Sequence, residues 1–428
     1  MNTRVRDFPS MRKFDSDDRK ALVEKIFDDL AELGRDGPGI SRPTYGEGET
    51  QAMEYCAALA REEGLTAEYD AAANLVIELP GKDPDAPCIV CGSHLDSVPQ
   101  GGNFDGAAGV VAGLLAVIRM KRANILPERT IRVMALRGEE SAWFGLCYLG
   151  SSALFGELAD GDLDRPHRSQ RKRLRDFMTE CGADMERISN GEKLLRDDEI
   201  GAYLELHIEQ GPDLEAAGIP LGIVTGGYTA YGLIVNFLGT NAHSGPTPME
   251  KRSNALVGAA KLIDAVNDIG WKYAPIGKST SSRLVIWPNK PGILPSAAEV
   301  TVDVRHIDPE VTERMRVEMH EALATAAEEA RVGFEIVTDW FFGDVAFDPD
   351  LTALVRQTAE DIGVPAMDIH SQAGHDAYCV SDSAPAILLF SPCVDGITHN
   401  EAEDVIPEDT WPSVNVLLQA VLRRADRD

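Results

Sequence analysis

Three brief apolar runs, Leu75–Leu79, Cys88–Cys91 and Ile131–Leu136, restrict the fold more than any other feature of the sequence, together with an apolar helical pattern over 106–121. Runs of this length bounded by polar residues read as strands, whereas the longer segment repeats its apolar residues at helical spacing. The combination predicts an α/β architecture, a sheet covered by helices. Two further helical patterns, Asp18–Leu33 and Glu49–Glu63, come before it, and strand character returns at Ala202–Ile208.

A different pattern begins near Gly222. A strand over Gly232–Leu238 leads into a helix over Ser253–Ile269, and a second strand follows at Glu299–Arg305. Its alternation puts Val300, Val302 and Val304 on one face and Thr301, Asp303 and Arg305 on the other. Asp308 is a cap and Pro309 a first helical residue for a helix over Val311–Arg331. The tail returns to a helix, Leu351–Ile362, and a buried-type strand, Ala386–Phe390. At 428 residues the chain exceeds the roughly 250–300 at which one core stops growing. We therefore expect a main domain of 1–221 and 341–428, interrupted by a compact α+β domain of 222–340.

Charge and composition exclude several classes of protein. With 44% apolar and 26% charged residues the chain is an ordinary globular one, not disordered or a coiled coil. Acidic residues outnumber basic ones by 70 to 41, a net charge of −29 that repels a phosphate backbone, so nucleic acid is not an expected partner. The basic stretch Arg165–Arg175 is surrounded by acids and reads as a solvated helix face rather than a polyanion site. No run of about 18 apolar residues occurs and Met1–Lys20 lacks an apolar signal region, so a cytoplasmic, non-membrane protein is expected. Seven sparse cysteines do not make a disulfide framework. Cys88 and Cys91 lie three apart on a strand and so face opposite sides, which predicts core packing rather than shared chelation.

The residues that carry chemistry cluster where strands end. His94 and Asp96 follow the run Cys88–Cys91, and strand ends are where α/β folds place ligands. A carboxylate beside a metal-binding imidazole is its usual orienting partner. Asp105, at the start of the 106–121 helix, is either a ligand or an N-cap. Glu139 and Glu140 follow the strand Ile131–Leu136 across Gly138, whose freedom at positive φ lets a turn direct both carboxylates to one side; a solvated loop is the alternative. His207 ends another strand, and His399 lies near the C-terminus. Three histidines with two acids form a mixed nitrogen and oxygen set suited to zinc, manganese, cobalt or nickel.

Taken in order, the stretches GSHLDSVPQGGNFDGAAGVVAG, GEES, ELHIEQGP, NAHSGPTPM, VTVDVRH, SQAGHDA and THNEAE cover nearly the whole chain. They resemble the hydantoinase/carbamoylase branch of the metallopeptidase-like amidohydrolases, which includes N-carbamoyl-L-amino acid hydrolases, β-ureidopropionases and allantoate amidohydrolases. The resemblance implies a mixed-sheet catalytic domain with an inserted lid that also mediates homodimerisation. It implies two divalent metal ions, one on His94 and His207, the other on Glu140 and His399, with Asp105 bridging. Asp96 would orient His94, and Glu139 would be the general base acting on metal-activated water and returning the proton to the leaving nitrogen. His243 would stabilise the oxyanion, often across the dimer interface. Arg305 would hold a substrate carboxylate through its bidentate fork, a surface salt bridge being the alternative. Gln210, Gly374, His375 and the position of Gly292 would lie near the substrate, although His375 reads equally as a structural hydrogen-bonding residue.

The implied reaction is hydrolysis of a linear amide or ureido C–N bond in a small carboxylate-bearing molecule. An aminoacylase or dipeptidase with the same metals is the alternative, and a non-catalytic binding protein a further one. His207 favours the amidase branch, because peptidase relatives commonly carry an acid there. Two departures stand out. Thirteen residues before Arg305 the carbamoylases usually have the asparagine of an Asn-Val-Ile-Pro motif, where this chain has Gly292. An arginine of the family's Glu-Glu-Gly-Ser-Arg-Phe is Trp143 here. With Tyr228 and Tyr231, Trp143 reads first as packing. The expectation is a retained metal chemistry with an altered substrate pocket.

Overall fold

The computed structural model describes residues 16–159, 161–343 and 345–426, with side chains from residue 22 onward. They form two compact units, one ending at Thr225 and resuming at Ala346, the other Gly226–Val345. In chain order the strands of the first unit before the break are β1 (Arg35–Asp36), β2 (Gly39–Ile40), β3 (Thr66–Tyr69), β4 (Leu75–Leu79), β5 (Cys88–His94), β6 (Ile131–Leu136), β7 (Ile200–Ile208) and β8 (Leu221–Gly227). The second unit holds β9 (Thr229–Leu238), β10 (Lys278–Trp287), β11 (Ala297–His306) and β12 (Gly333–Phe342). The first unit then resumes with β13 (Ala366–Ser371) and β14 (Ala386–Ser391).

The first unit is built on an eight-stranded mixed sheet in the order β13-β8-β14-β7-β5-β6-β4-β3. Its centre is parallel, β14 with β7, β7 with β5 and β5 with β6, while β14 with β8, β6 with β4 and β4 with β3 are antiparallel. Every residue of β5, β7 and β14 is buried, which is why their sequences are near-continuous apolar runs. The helix Ala107–Arg122, buried from Ala107 to Met120, and the C-terminal helix Pro407–Ala425 complete this core. Because the central strands are parallel, their C-terminal ends share one edge, and His94, the turn after Leu136, His207 and the loop after Ser391 all leave from it.

The second unit is a four-stranded antiparallel sheet, β10-β11-β9-β12, packed on the helices Ala255–Tyr273 and Pro309–Ala330. Val300, Val302 and Val304 point into that core, as their alternation predicted. Asp308 accepts from Glu310 N–H at 2.9 Å, and Pro309 opens the helix it caps.

The two units part after Thr225 and after Val345, within a few residues of the expected 221/222 and 340/341. Gly222 and Ile223 still pair with Phe390 and Leu389 in the large sheet, and β12 runs on to Phe342. The unpredicted β10 and β12 are edge strands, exposed along most of their length, so neither carries the alternation that marks a half-buried strand. The basic stretch is not a helix face: Pro166 bridges Arg173 and the helix begins only at Leu174. Three of its charges are locally paired, Arg173 and Arg175 with Asp164 and Lys172 with Glu180. Cys91 is in the core, and Cys88 donates to the Glu199 carbonyl. Among the described residues no helix is long and apolar enough to cross a membrane.

Candidate metal centre

His94 ends β5 and His207 lies one residue before the end of β7, two neighbouring parallel strands, and their rings stack 5.7 Å apart. Asp105 Oδ1 lies 3.4 Å from His94 Nε2 and 3.2 Å from His207 Nε2. Asp105 Oδ2 lies 3.4 Å from His399 Nε2, which is 3.3 Å from Glu140 Oε1. Donor atoms of His94, Asp105 and His207 thus lie within 4.8 Å of one another, as do those of Asp105, Glu140 and His399. Asp105 belongs to both groups and does not cap the helix that follows. The capping position is Gly106, without a side-chain bond, and Asp105 Oδ2 accepts instead from Gln210 Nε2 at 2.7 Å and Thr398 Oγ1 at 2.9 Å. Gly106 has φ +63°, and a Cβ there would meet the His94 ring at 2.5 Å.

The turn bearing Glu139 and Glu140 is held from behind by buried carboxylates. Gly138 adopts φ +67°, and its N–H donates to Glu49 Oε1 at 3.0 Å. Glu49 also accepts from the Arg137 guanidinium at 2.6 Å, an ion pair almost wholly buried. Asp96 does more than orient His94, whose Nδ1 lies 3.2 Å from its Oδ1. Its two oxygens accept the N–H groups of Glu139 (3.1 Å) and Glu140 (3.2 Å), and Thr44 Oγ1 donates to it at 2.5 Å. Thr44 and Glu49 carried no signal in the sequence, since nothing local marks them. Glu205 did carry one, as an acid inside the apolar run Leu204–Ile208. Fully buried, it accepts from Ser93 Oγ at 2.6 Å and Ala377 N–H at 2.7 Å.

The donor set fits a divalent metal. His94 Nδ1 lies 3.1 Å from the Asp96 carbonyl oxygen and His207 Nδ1 2.8 Å from that of Ile208. A carbonyl only accepts, so each Nδ1 carries the proton and each Nε2 turns a lone pair towards Asp105. His207 Nε2 also receives the Gly106 N–H at 3.0 Å, consistent with that tautomer. Lone pairs facing carboxylate oxygens this closely call for positive charge between them. The titration of the groups expresses the same demand. Burial opposes charge on His94 and His207, yet Asp105, with Asp96 beside His94, holds both above the ordinary imidazole range. Burial alone would raise Asp105, but His207, His399 and His94 hold it well below the usual carboxylate range. Glu139 lies with Oε2 3.9 Å from His94 Nε2. Burial pushes its carboxyl well up; His94 draws it down and Glu140 adds to the rise. A carboxylate so raised accepts protons more readily near neutrality.

Other predicted residues divide between the units. Gln210, at φ +59°, touches the shared Asp105 directly, while its Oε1 is buried without a partner among the described residues. Gly374 immediately precedes His375, which is buried with its ring 4.4 Å from that of His207 and its Nε2 unpartnered among the described residues. Burial, reinforced by His207, lowers the His375 imidazole well below its ordinary value and keeps it neutral. In the second unit, exposed His243 bridges Ile293, and the Ser244 N–H donates to the Gly292 carbonyl at 2.9 Å, so His243 and Gly292 share one corner. Gly292 has φ +82° and open space where a Cβ would stand. Arg305, partly exposed on β11, donates through Nε to Asp303 Oδ1 at 2.9 Å. Trp143 is buried, donates to the Ser97 carbonyl at 2.8 Å and stacks on His167. Tyr231 packs against Phe341.

The mixed sheet with an inserted α+β unit is the metallopeptidase-like architecture. A sequence profile of peptidase family M20/M25/M40 matches residues 90–423. An N-carbamoyl-L-amino-acid amidohydrolase of Rhizobium meliloti is 34% identical over 427 residues, covering 96% of this chain and 98% of its own. A ureidoglycolate hydrolase of Oryza sativa subsp. japonica is 28% identical, covering 94% and 84%. The crystal structure of an amidase of the hydantoinase/carbamoylase family from Burkholderia vietnamiensis superposes with a TM-score of 0.86 at 32% identity, covering 95% of this chain and 97% of that one. The chain belongs to peptidase family M20/M25/M40, in its hydantoinase/carbamoylase branch.

Proposed function

We propose that this chain hydrolyses a linear C–N amide or ureido bond of a small carboxylate-bearing substrate resembling an N-carbamoyl amino acid. One observation carries the reading: two donor groups share Asp105, and Glu139 stands beside them, 3.9 Å from His94. In this reading His94, Asp105 and His207 hold one divalent ion and Asp105, Glu140 and His399 a second, the ions being zinc, manganese, cobalt or nickel. Such ions, when bound, acidify water and polarise a carbonyl. Glu139 takes the proton of the attacking water and delivers it to the leaving nitrogen. Asp96 fixes both the His94 ring and the backbone of the Glu139 turn. Arg305 binds the substrate carboxylate, and Asp303 orients its guanidinium. Gln210, Gly374 and His375 contact the substrate, the neutral His375 as a hydrogen-bonding group. The second unit serves as lid and dimerisation unit, with His243 stabilising the oxyanion, in a cytoplasmic homodimer.

The Gly292 corner supports a substrate pocket different from that of ordinary N-carbamoyl-L-amino acid hydrolases, because a glycine supplies no side-chain amide. Steady-state rates on N-carbamoyl, N-formyl and N-acyl amino acids and on ureidoglycolate, with ammonia and amino acid release measured together, test the reading. Ammonia release from ureido substrates is expected. Cleavage confined to dipeptides or N-acyl amino acids would assign the chain to the aminoacylase alternative. Best activity on ordinary N-carbamoyl-L-amino acids would remove the altered pocket.

A further inference from the structure

We propose that Glu403 is a positioning residue that clamps the loops carrying Asp105 and His399 to each other and so sets how tightly the Asp105–Glu140–His399 group holds a divalent cation. The proposal rests on the metal reading above. Glu403 is 7% exposed, and its carboxylate spans both loops. Oε1 accepts the N–H groups of Phe104 at 2.8 Å and Asp105 at 3.0 Å, and Oε2 lies 3.0 Å from Thr398 Oγ1. The same hydroxyl lies 2.9 Å from Asp105 Oδ2. Glu403, four residues after His399, therefore ties its own loop to the Phe104 and Asp105 amides, and the single Thr398 proton lies between the Glu403 and Asp105 carboxylates. The chain makes room for this at Gly102, where a Cβ would stand 2.1 Å from Glu403 Cδ and Oε1.

Such a clamp has a physical purpose. Asp105 and His399 lie outside the strands and helices, and His399 sits at φ +54°, which a bulky residue rarely adopts without support. A buried carboxylate is expensive unless hydrogen-bonded, and the two amides that satisfy this one belong to the Asp105 loop, while the carboxylate itself is carried by the loop of His399. Partners of this kind behind metal ligands typically alter affinity by about 10-fold to about 100-fold.

The test is titration of the metal-free full-length chain with Co2+, read by visible absorption and by competition with a chelator, alongside thermal melting of the metal-free forms. The wild type is expected to take up two equivalents. Glu403→Ala weakens one of them by about 10-fold to about 100-fold. Glu403→Gln stays near wild type, because its carboxamide oxygen still accepts both amides and its NH2 reaches Thr398. Unchanged affinity in folded Glu403→Ala, with only its melting temperature lowered, overturns the proposal, as does an equal loss in Glu403→Gln. Should Glu403→Ala not fold, Thr398→Val removes one thread of the clamp, and unchanged Co2+ affinity there overturns it equally. A wild type that takes up no Co2+ overturns the metal reading itself, before any variant is compared.

Discussion

Replacing Asp96 by asparagine separates its two duties. The carboxylate accepts three donors, Glu139 N–H on one oxygen and Glu140 N–H and Thr44 Oγ1 on the other, and the first oxygen also lies 3.2 Å from His94 Nδ1. Asparagine has the same shape but offers one oxygen and one NH2. With the oxygen towards Glu139 and His94, the NH2 faces Thr44, whose hydroxyl rotates to accept, and Glu140 N–H, which has no such freedom. The opposite orientation turns the NH2 onto both an amide and an imidazole N–H and is worse. One buried backbone donor is therefore orphaned, at about 1–3 kcal/mol. If the turn must shift to relieve it, Glu139, the proposed general base, shifts too, and that amount in the barrier is about 5-fold to about 150-fold in rate. The assay is kcat for Asp96→Asn on the best substrate of the panel, measured across metal concentrations. A defect limited to His94 orientation lowers metal affinity and disappears at saturating metal; a displaced turn persists. Wild-type kcat at saturating metal would refute the clamp on Glu139 and Glu140.

Glu139→Gln should cost about 100-fold to about 10,000-fold in kcat while elemental analysis finds unchanged metal content, since only the proton acceptor is lost. Arg305→Lys, which keeps the charge but not the fork, should raise KM for carboxylate-bearing substrates by about 10-fold and leave the corresponding neutral amides unaffected; equal effects on both would dissociate Arg305 from the carboxylate. Gly292→Asn should fold normally, because asparagine tolerates positive φ and the Cβ position is open. Rates over the same panel should then shift towards N-carbamoyl-L-amino acids, and an unchanged substrate ranking would remove this position from specificity.

The parts of the site legible in the sequence were those on strand ends. His94 and His207 follow apolar runs that could be read directly, and Gly138 announced a turn for the two acids beside it. Asp105 was ambiguous because cap and ligand share a sequence signature; only the absence of a capping bond and the approach of His94, His207 and His399 decide the geometry. What escaped was long-range. Thr44 lies 52 residues from Asp96 and Glu49 lies 88 from Arg137, and no local pattern marks a hydrogen bond closed over such a distance. The same holds for the fold: buried β5 and β7 were visible as apolar runs, whereas β10 and β12, exposed at the edges of their sheet, were not.

The carboxylates behind the site, Asp96 among the expected residues and Glu49 and Glu403 outside them, share one task. Strands carry the backbone of His94 and His207, but Asp105, Glu140 and His399 leave the sheet edge on loops, and the proposed metal site tolerates little displacement of its donors. Three buried carboxylates take over where the ladders stop: Glu49 holds the Gly138 amide, Asp96 those of Glu139 and Glu140, Glu403 those of Phe104 and Asp105. Each accepts backbone N–H groups, which lie at fixed positions, rather than relying on flexible cations. The Glu49–Arg137 pair fits the same logic, for a buried ion pair is a poor source of stability but a strict constraint on geometry. The carboxylates therefore serve as extensions of the sheet, supplying through side chains the backbone hydrogen bonds that the turns lack. It follows that amide-to-carboxylate contacts, more than any apolar substitution in the core, should govern how well the two donor groups stay assembled when no cation holds them.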